Sequence, residues 1–320
     1  MSKGFDVAVM HDFFVDRLVH TDSIPRLAES VVRKANQGGG GIHGVSQQDV
    51  RGGNAVNLAH ALARLGLRTL LITHSDGIHE RMLREPFEGL DAVVRVKPKP
   101  PGLTVAFEGD VNVMLGHGGG AENFGPDLLD SDDWKALRGA RVICSVNWAA
   151  NRSGTRLLAD LRGRLGREKV IFFDPADFRD RLQEFTSLLT VIMKKRLVDW
   201  MSLNEHEAVE AARALGVKTT GLGGTCAAVA ERLRVGLDVH TARESFSSNG
   251  GVAVEVRTEG AKVRRLTGAG DVWNAGSIYC RLKSCSAPER LRFANAAARL
   301  YLTAGSPMPP RLEDVLDALR

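Results

Sequence analysis

The chain has 320 residues, 43% hydrophobic and 25% charged, a globular balance that excludes a disordered or low-complexity polypeptide. The formal net charge is +5, and the basic residues stand singly among acids. That pattern argues against nucleic acid as a partner and suits a small anionic substrate. Cys144, Cys226, Cys280 and Cys285 form no Cys-x-x-Cys pair and complete no zinc spacing, so they read as buried small hydrophobes. No apolar run is long enough to cross a bilayer. Met1 to Phe14 lacks the basic-then-apolar order of a signal peptide. A cytoplasmic protein without a membrane partner is the expectation.

Phe5 to Met10 is a short apolar run that predicts a buried strand. Asp12 to His20 mixes polar and apolar residues, Glu29 to Arg33 reads as a second extended stretch, and Gly38 to Gly41 holds no regular structure cheaply. This region is expected to be strands with flexible connections. At Asn54 the period changes: Ala55, Leu58, Ala59, Leu62 and Leu65 recur at helical spacing, and Gly66 follows the last of them. Thr69 to Thr73, Val93 to Val96 and Leu103 to Phe107 are strand candidates, with a turn at Pro98 to Pro101 between the last two.

From Arg141 onward strands and helices alternate. Strands are expected at Val142 to Val146, Val170 to Phe173, Val198 to Leu203 and Val252 to Val256. Helices are expected at Gly154 to Arg164, Phe178 to Leu189, Glu205 to Leu215, Asp271 to Lys283 and Pro288 to Thr303. Lys218 to Leu222 has no clear period. Such alternation means a mainly parallel sheet covered on both faces, with ligands beyond the carboxyl ends of its strands.

Three segments carry chemistry. In Thr267-Gly268-Ala269-Gly270-Asp271 two glycines let the backbone come close to a ligand, and a helix follows at once. The first helical amides lack intrahelical partners and favour negative charge. Asp271 at that entrance can take a proton from an attacking hydroxyl, while the amides steady a migrating phosphoryl group. A plain helix-capping aspartate is the alternative. In Arg51-Gly52-Gly53-Asn54-Ala55-Val56-Asn57, two amide side chains three residues apart can serve sugar hydroxyls; capping by Asn54 is the alternative. In Asn204-Glu205-His206-Glu207, Asn204 and Glu207 can face one cleft and hold a magnesium ion through water; a capping box is the alternative.

Taken together, Gly52 to Asn57 and Gly268 to Asp271 resemble the two signatures of the ribokinase/PfkB carbohydrate kinase family. Asn204 to Glu207 resembles its NxxE segment, Asp174 to Asp177 its aspartate-proline element, and Phe293 to Ala298 its nucleotide-side C-terminal helix. Order and spacing agree over nearly the whole chain. The resemblance implies one kinase domain over residues 1–320, a three-layer α/β/α core with a mainly parallel sheet, and a small β-strand lid from residues 17–50 and 93–114. It implies ATP or ADP as phosphoryl donor and Mg2+ as cofactor. It makes Asp271 the catalytic base and Gly268, Ala269 and Gly270 the anion hole. Asp16, Gly52, Gly53, Asn54 and Asn57 become substrate-binding residues. Asn204, Glu207, Gly223, Gly224 and Asn295 fall on the nucleotide side, with Glu207 reaching the metal through water.

Three departures stand out. Arg265-Leu266 replaces the family's usual Asp-Thr, so no potassium requirement is carried over. Gly221 stands where a threonine usually ends the strand before Gly223-Gly224. His11-Asp12 replaces the glycine after the first strand. For the acceptor, Arg17, Arg33 and Lys34 in the lid point to a sugar phosphate such as a pentose phosphate. A nucleoside would use an apolar slot from Phe13, Phe14 and Phe107, with Trp148, Asn147 and Asn151 as further cleft candidates. A non-catalytic sugar or nucleotide binder is the rival from another class, and Asp271 speaks against it. Gly221-Leu222-Gly223-Gly224 is an incomplete dinucleotide fingerprint, and no Walker-type loop occurs. The free edges of lid strands make a lid-to-lid homodimer the expected assembly.

Overall fold

A computed structural model describes residues 4–109, 112–218, 220–260, 262–263 and 267–320. The larger sheet has nine strands in the order β13-β12-β11-β10-β9-β8-β1-β4-β5. They are β1 (Val7–Met10), β4 (Thr69–Ser75), β5 (Ala92–Pro98), β8 (Val142–Val146), β9 (Val170–Asp174), β10 (Trp200–Asn204), β11 (Gly236–His240), β12 (Glu244–Ser248) and β13 (Val254–Arg257). Pairing is parallel from β5 across to β11 and antiparallel at β11–β12 and β12–β13.

The strands are short apolar runs buried on both faces, as a sheet between two helical layers requires. In β1, Val7 and Val9 enter one core while Ala8 and Met10 enter the other. The Val7 side is covered by α2 (Asn54–Arg64), α9 (Ala269–Leu282), α10 (Ala287–Thr303) and α11 (Leu312–Asp317). The Ala8 side is covered by α4 (Ser131–Gly139), α5 (Gly154–Leu165), α6 (Leu182–Lys195), α7 (Glu205–Ala214) and α8 (Gly221–Leu233). A short α3 (Glu80–Arg84) precedes β5. Gly276 of α9 lets α10 approach: a Cβ there would lie 2.9 Å from Ala294 Cα.

A second sheet orders β3 (Ser46–Gly52), β2 (Phe14–His20), β6 (Gly102–Glu108) and β7 (Asn112–His117), with β3 and β7 at its edges. It is the expected lid, with two corrections. Val93 to Val96 lies in β5 and pairs with β4 in the large sheet, so the lid is built from residues 14–52 and 102–117. Glu29 to Arg33 is not extended but lies within α1 (Ile24–Asn36), capped by Ser23 with Pro25 in its first turn and burying no residue. No described helix is long and apolar enough to cross a membrane.

Candidate active site

The large sheet turns back on itself at β1. The chain builds outward through β4 and β5 on one side and then from β8 to β13 on the other. Such a reversal leaves a crevice at the carboxyl ends of the strands, where ligands of α/β sheets bind. Asp12 leaves β1 there and Asn147 leaves β8, and Asn147 Nδ2 donates to Asp12 Oδ2 at 2.8 Å. The same carboxylate accepts from the Asn54 and Ala55 amides at 2.8 and 2.9 Å. Asp12 thus caps α2 from a distant strand. Its own cap, Gly53, has φ +102° and no side chain, and a Cβ there would lie 2.7 Å from the Asp12 carbonyl.

With α2 anchored, Asn54 and Asn57 share one face of its first turn. Both reach Asp271: Asn54 Nδ2 donates to Oδ1 and Asn57 Nδ2 to Oδ2, each at 3.1 Å. Asn54 therefore does not cap its own helix. Asp271 is the third residue of α9, whose cap is Gly268 at φ +87°. The earliest helical bond runs from the Val272 amide to the Gly268 carbonyl, so the amides of Ala269, Gly270 and Asp271 lie ahead of it. Two glycine–helix junctions separated by more than 210 residues thus converge on one carboxylate beside an anion-attracting helix start.

Burial, and after it the Asp174 carboxylate, push Asp271 well above the usual carboxylate range, and the Asn57 and Asn54 bonds offset this only in part. Asp174 at the end of β9 accepts from Asn274 Nδ2 at 2.6 Å, one turn beyond Asp271, and from the Ala176 amide at 2.8 Å. Asp12 is likewise raised by burial, opposed by its amide donors. A raised carboxylate held by two amides is a stronger base than an exposed one, which suits proton removal from an alcohol.

Asp16 faces this region from the lid. A Cβ on Gly52 would overlap its carboxylate, which is why glycine precedes Gly53. Burial pushes Asp16 up to about 6, opposed by a hydrogen bond with the Thr104 side chain. Between lid and core lies a cavity of about 350 Å³, whose wall includes Asp16, Leu18, Arg51, Asn57, Thr267 and Tyr301. Asn57 and Thr267 put it beside Asp271, and Tyr301 Oη donates to the Thr267 carbonyl at 3.1 Å.

The residues expected on the nucleotide side have these partners. Asn204 and Glu207 form a full capping box: Asn204 Oδ1 accepts from the His206 and Glu207 amides, and Glu207 accepts from the Asn204 amide at 2.8 Å and from Asn204 Nδ2 at 2.7 Å. Burial and then Asp174 push Glu207 upward. Among the described residues no strand leads into Gly223 and Gly224. They form the first turn of α8, with Gly223 against Phe246 of β12, because residues 221–233 are helical. The strand beside β10 is β11, which the sequence reading missed, and its last residue His240 stacks near Trp273 with ring centroids 4.9 Å apart. A Cβ on Gly270 would lie 3.5 Å from His240 Cε1. Asn295 accepts from Trp273 Nε1 at 2.8 Å, and its buried Nδ2 makes no bond. Arg265-Leu266 lies outside the described residues.

The lid cations expected to meet a phosphate do not line the cavity. Arg17 is exposed and holds Asp49 with two bonds of 2.7 and 2.8 Å, while Arg33 and Lys34 end the exposed α1. Phe13 is core, Phe14 packs over Gly102, and neither they nor Phe107 line the cavity. Trp148 is core and donates to Thr155, and Asn151 donates to the Phe124 carbonyl. Asn147, a cleft candidate in the sequence, does join the site through Asp12, whereas Asp12, Asn274, His60 and Tyr301 are site-forming residues that motif reading passed over. Only the position of Asp12 just past the first strand could have flagged one of them.

A three-layer α/β/α core with a lid sheet, and a buried carboxylate at a glycine–helix junction beneath that lid, define a phosphotransferase that acts on hydroxyl groups. The family model described as pfkB family carbohydrate kinase matches residues 27–314, and the chain belongs to that family. A search of curated proteins finds no match. Among solved structures, the chain is similar to a ribokinase of Arabidopsis thaliana complexed with ribose and ATP (21% identity, TM-score 0.77, 99% of each chain covered). It is also similar to a ribokinase of Thermotoga maritima (18%, 0.78, 98% of this chain and 99% of that one). An adenosine kinase of Sinorhizobium meliloti compares likewise (17%, 0.79, 99% of each).

Proposed function

We propose that this kinase transfers the terminal phosphoryl group of a nucleoside triphosphate to a hydroxyl of a sugar or sugar phosphate, with Asp271 as base. The observation that carries the proposal is the double amide clamp on Asp271 at the start of α9. The acceptor hydroxyl gives its proton to Asp271 as its oxygen bonds to the terminal phosphorus. The bond from that phosphorus to the bridging oxygen breaks, and a nucleoside diphosphate leaves. The amides of Ala269, Gly270 and Asp271 stabilise charge on the moving group. Asp16, ionised, accepts from acceptor hydroxyls on the lid side. A nucleoside is the second reading, supported by the apolar stretch of wall at Leu18, Met114 and Met308. Two ribokinases and an adenosine kinase among the similar structures agree with both readings.

Magnesium fits only as a companion of the nucleotide. Among the described residues no three His, Cys, Asp or Glu side chains converge to hold a metal. Both Glu207 oxygens already accept hydrogen bonds, so Glu207 would touch the ion through water, as Mg2+ commonly allows. Bound there, the ion would offset phosphate charge. Asp271→Asn keeps the shape and the helix start but removes the base. It should lower kcat by about 100-fold or more while nucleotide affinity stays within about twofold. Near-normal turnover in a coupled diphosphate-release assay would remove Asp271 from its role.

A further inference from the structure

The cavity between lid and core contains a cation that the reaction as proposed does not use. Arg51 stands on edge strand β3, one residue before the glycine pair, and lines the cavity with His60 of α2. Its Nη2 donates to His60 Nδ1 at 2.9 Å. An arginine can only donate, so Nδ1 carries the lone pair and His60 is neutral. Burial first, with Arg51 and Arg64 adding to it, holds His60 down to about 3. Arg51 itself lies over the Phe87 ring, 5.7 Å from its centroid. Its Nη1 is buried without a hydrogen-bond partner, and among the described residues it forms no ion pair with a carboxylate. The other charged groups on the wall are Asp16, which bonds to Thr104, and Glu108, which pairs with His20 at 3.3 Å.

A guanidinium with a buried, unpartnered N–H and no counter-charge is unfavourable unless something anionic arrives. Burial pulls Arg51 down only to about 10, so it stays charged at neutral pH. Along α2 its partner His60 lies three residues beyond Asn57, which holds Asp271, so the two partners of the cation and of the carboxylate are about one helical turn, roughly 5 Å, apart on the helix beside the cavity. That separation matches a small sugar whose hydroxyl meets Asp271 while its other end meets Arg51.

Resting on the kinase reading, we infer that the acceptor is an anionic sugar, a phosphate monoester or a carboxylate, and that Arg51 is the residue that selects it. His60 is a positioning residue: as a neutral acceptor it holds the guanidinium in place without competing for its charge. Nucleosides and neutral sugars leave Arg51 uncompensated and are poor acceptors.

The test uses the full chain and paired acceptors: ribose with ribose 5-phosphate, fructose with fructose 6-phosphate, glucose with gluconate, and adenosine alone. The anionic member of at least one pair should have the higher kcat/KM, by roughly 10- to 100-fold, as one charged hydrogen bond predicts. The phosphate and carboxylate arms tell the two sources apart. Arg51→Gln should lose that preference, raising KM for the anionic acceptor by roughly 10- to 100-fold more than for its neutral partner, and Arg51→Lys should restore part of it. A preferred neutral sugar or adenosine, or equal losses on neutral and anionic acceptors, overturns the inference. Calorimetric titration of wild-type protein and both variants with inorganic phosphate, under a saturating non-hydrolysable ATP analogue, separates this idea from the kinase reading. Arg51-dependent phosphate binding without turnover of any acceptor would sink the reaction and keep the anion site. No phosphate binding to the wild type would sink the site. Should Arg51→Gln not fold, phosphate inhibition of the wild type decides: competitive with the acceptor supports the inference, competitive with nucleotide alone refutes it.

Discussion

Asp16 shows how a single residue trades stability for binding. Its folded value, about 6, lies above the ordinary aspartate value. The folded state therefore holds the proton more tightly than the unfolded one. The associated stability is present below the unfolded value and is lost as pH rises through about 6. Asp16→Asn should accordingly raise the thermal midpoint by a few degrees at pH 8, a gain that largely vanishes at pH 4.5. The same change should raise the acceptor KM at least tenfold, since an amide cannot replace a carboxylate as a double acceptor. Melting curves at the two pH values check the sign; a larger gain at the acid pH would contradict it. Asp271 gives a second pH prediction. It must be ionised to act, so kcat/KM should fall as pH drops through a value above the usual carboxylate range. Asn57→Ala deletes one bond that favours the ionised form and should move that limb to higher pH, read from the pH profile. Asp271, Asn54 and Asn57 were legible in the sequence because each lies in a glycine–helix junction whose chemistry is local. Asp12 and Arg51 were not, because their roles depend on partners 42 to 135 and 9 residues away, respectively.

At the scale of elements, most of the alternating strands and helices after Arg141 were readable because burial on both faces forces apolar runs and amphipathic helices, although β11, β12 and α11 were not. Helices α1, α3, α4 and α8 were also unread, and two of them show why. In α1 the adjacent Val31 and Val32 read as a strand, yet Ile24, Leu27, Ala28, Val31, Val32 and Ala35 recur at helical spacing. In α8 the opening Gly221, Gly223 and Gly224 masked Leu222, Cys226, Val229, Ala230 and Leu233. Nor could strand content alone tell that Val93 to Val96 belongs beside β4. α1 stands on local terms: the Ser23 cap, Pro25 in the first turn, and Arg33 and Lys34 at the negative end of the dipole. Val31 and Val32 stay 53% and 58% exposed. The β2–β3 register pairs His20 with Ser46, so Thr21 and Val45 would face each other in a direct hairpin. Replacing residues 22–44 by Asn-Gly, the favoured two-residue turn, should shift the thermal midpoint by less than about 3 °C and leave kcat intact. A fall of about 8 °C or more would mean that α1 supports the lid.

At the scale of the molecule, the site exists only when the two ends of the chain are brought together. The early half supplies Asp12, Asn54 and Asn57, and the late half supplies α9 with Asp271. What fixes α9 against the sheet is a buried ionic cluster. Asp238 of β11 points to the α9–α10 side, because Leu237 and Val239 occupy the opposite core. It accepts from Trp200 Nε1 and Ser277 Oγ, each at 2.9 Å, and from Arg290 of α10, which also donates to Ser247 of β12. Ser277 lies on α9 six residues beyond Asp271, and Arg281, about one turn past Ser277 on the same helix, stacks over Trp200 at 3.9 Å. One carboxylate thus ties β10, β11 and β12 to both helices. Removing its main cation leaves a charge in the core, which costs about 3–5 kcal/mol. Arg290→Ala should lower unfolding stability by that amount in urea titration, with the slope unchanged. Because α9 is then held less firmly, kcat should fall on warming well before global unfolding, while at low temperature it stays within about threefold of wild type. A loss below about 1 kcal/mol would mean that Arg281, 4.0 Å from the other Asp238 oxygen, takes over the charge and that α9 is fixed by packing alone.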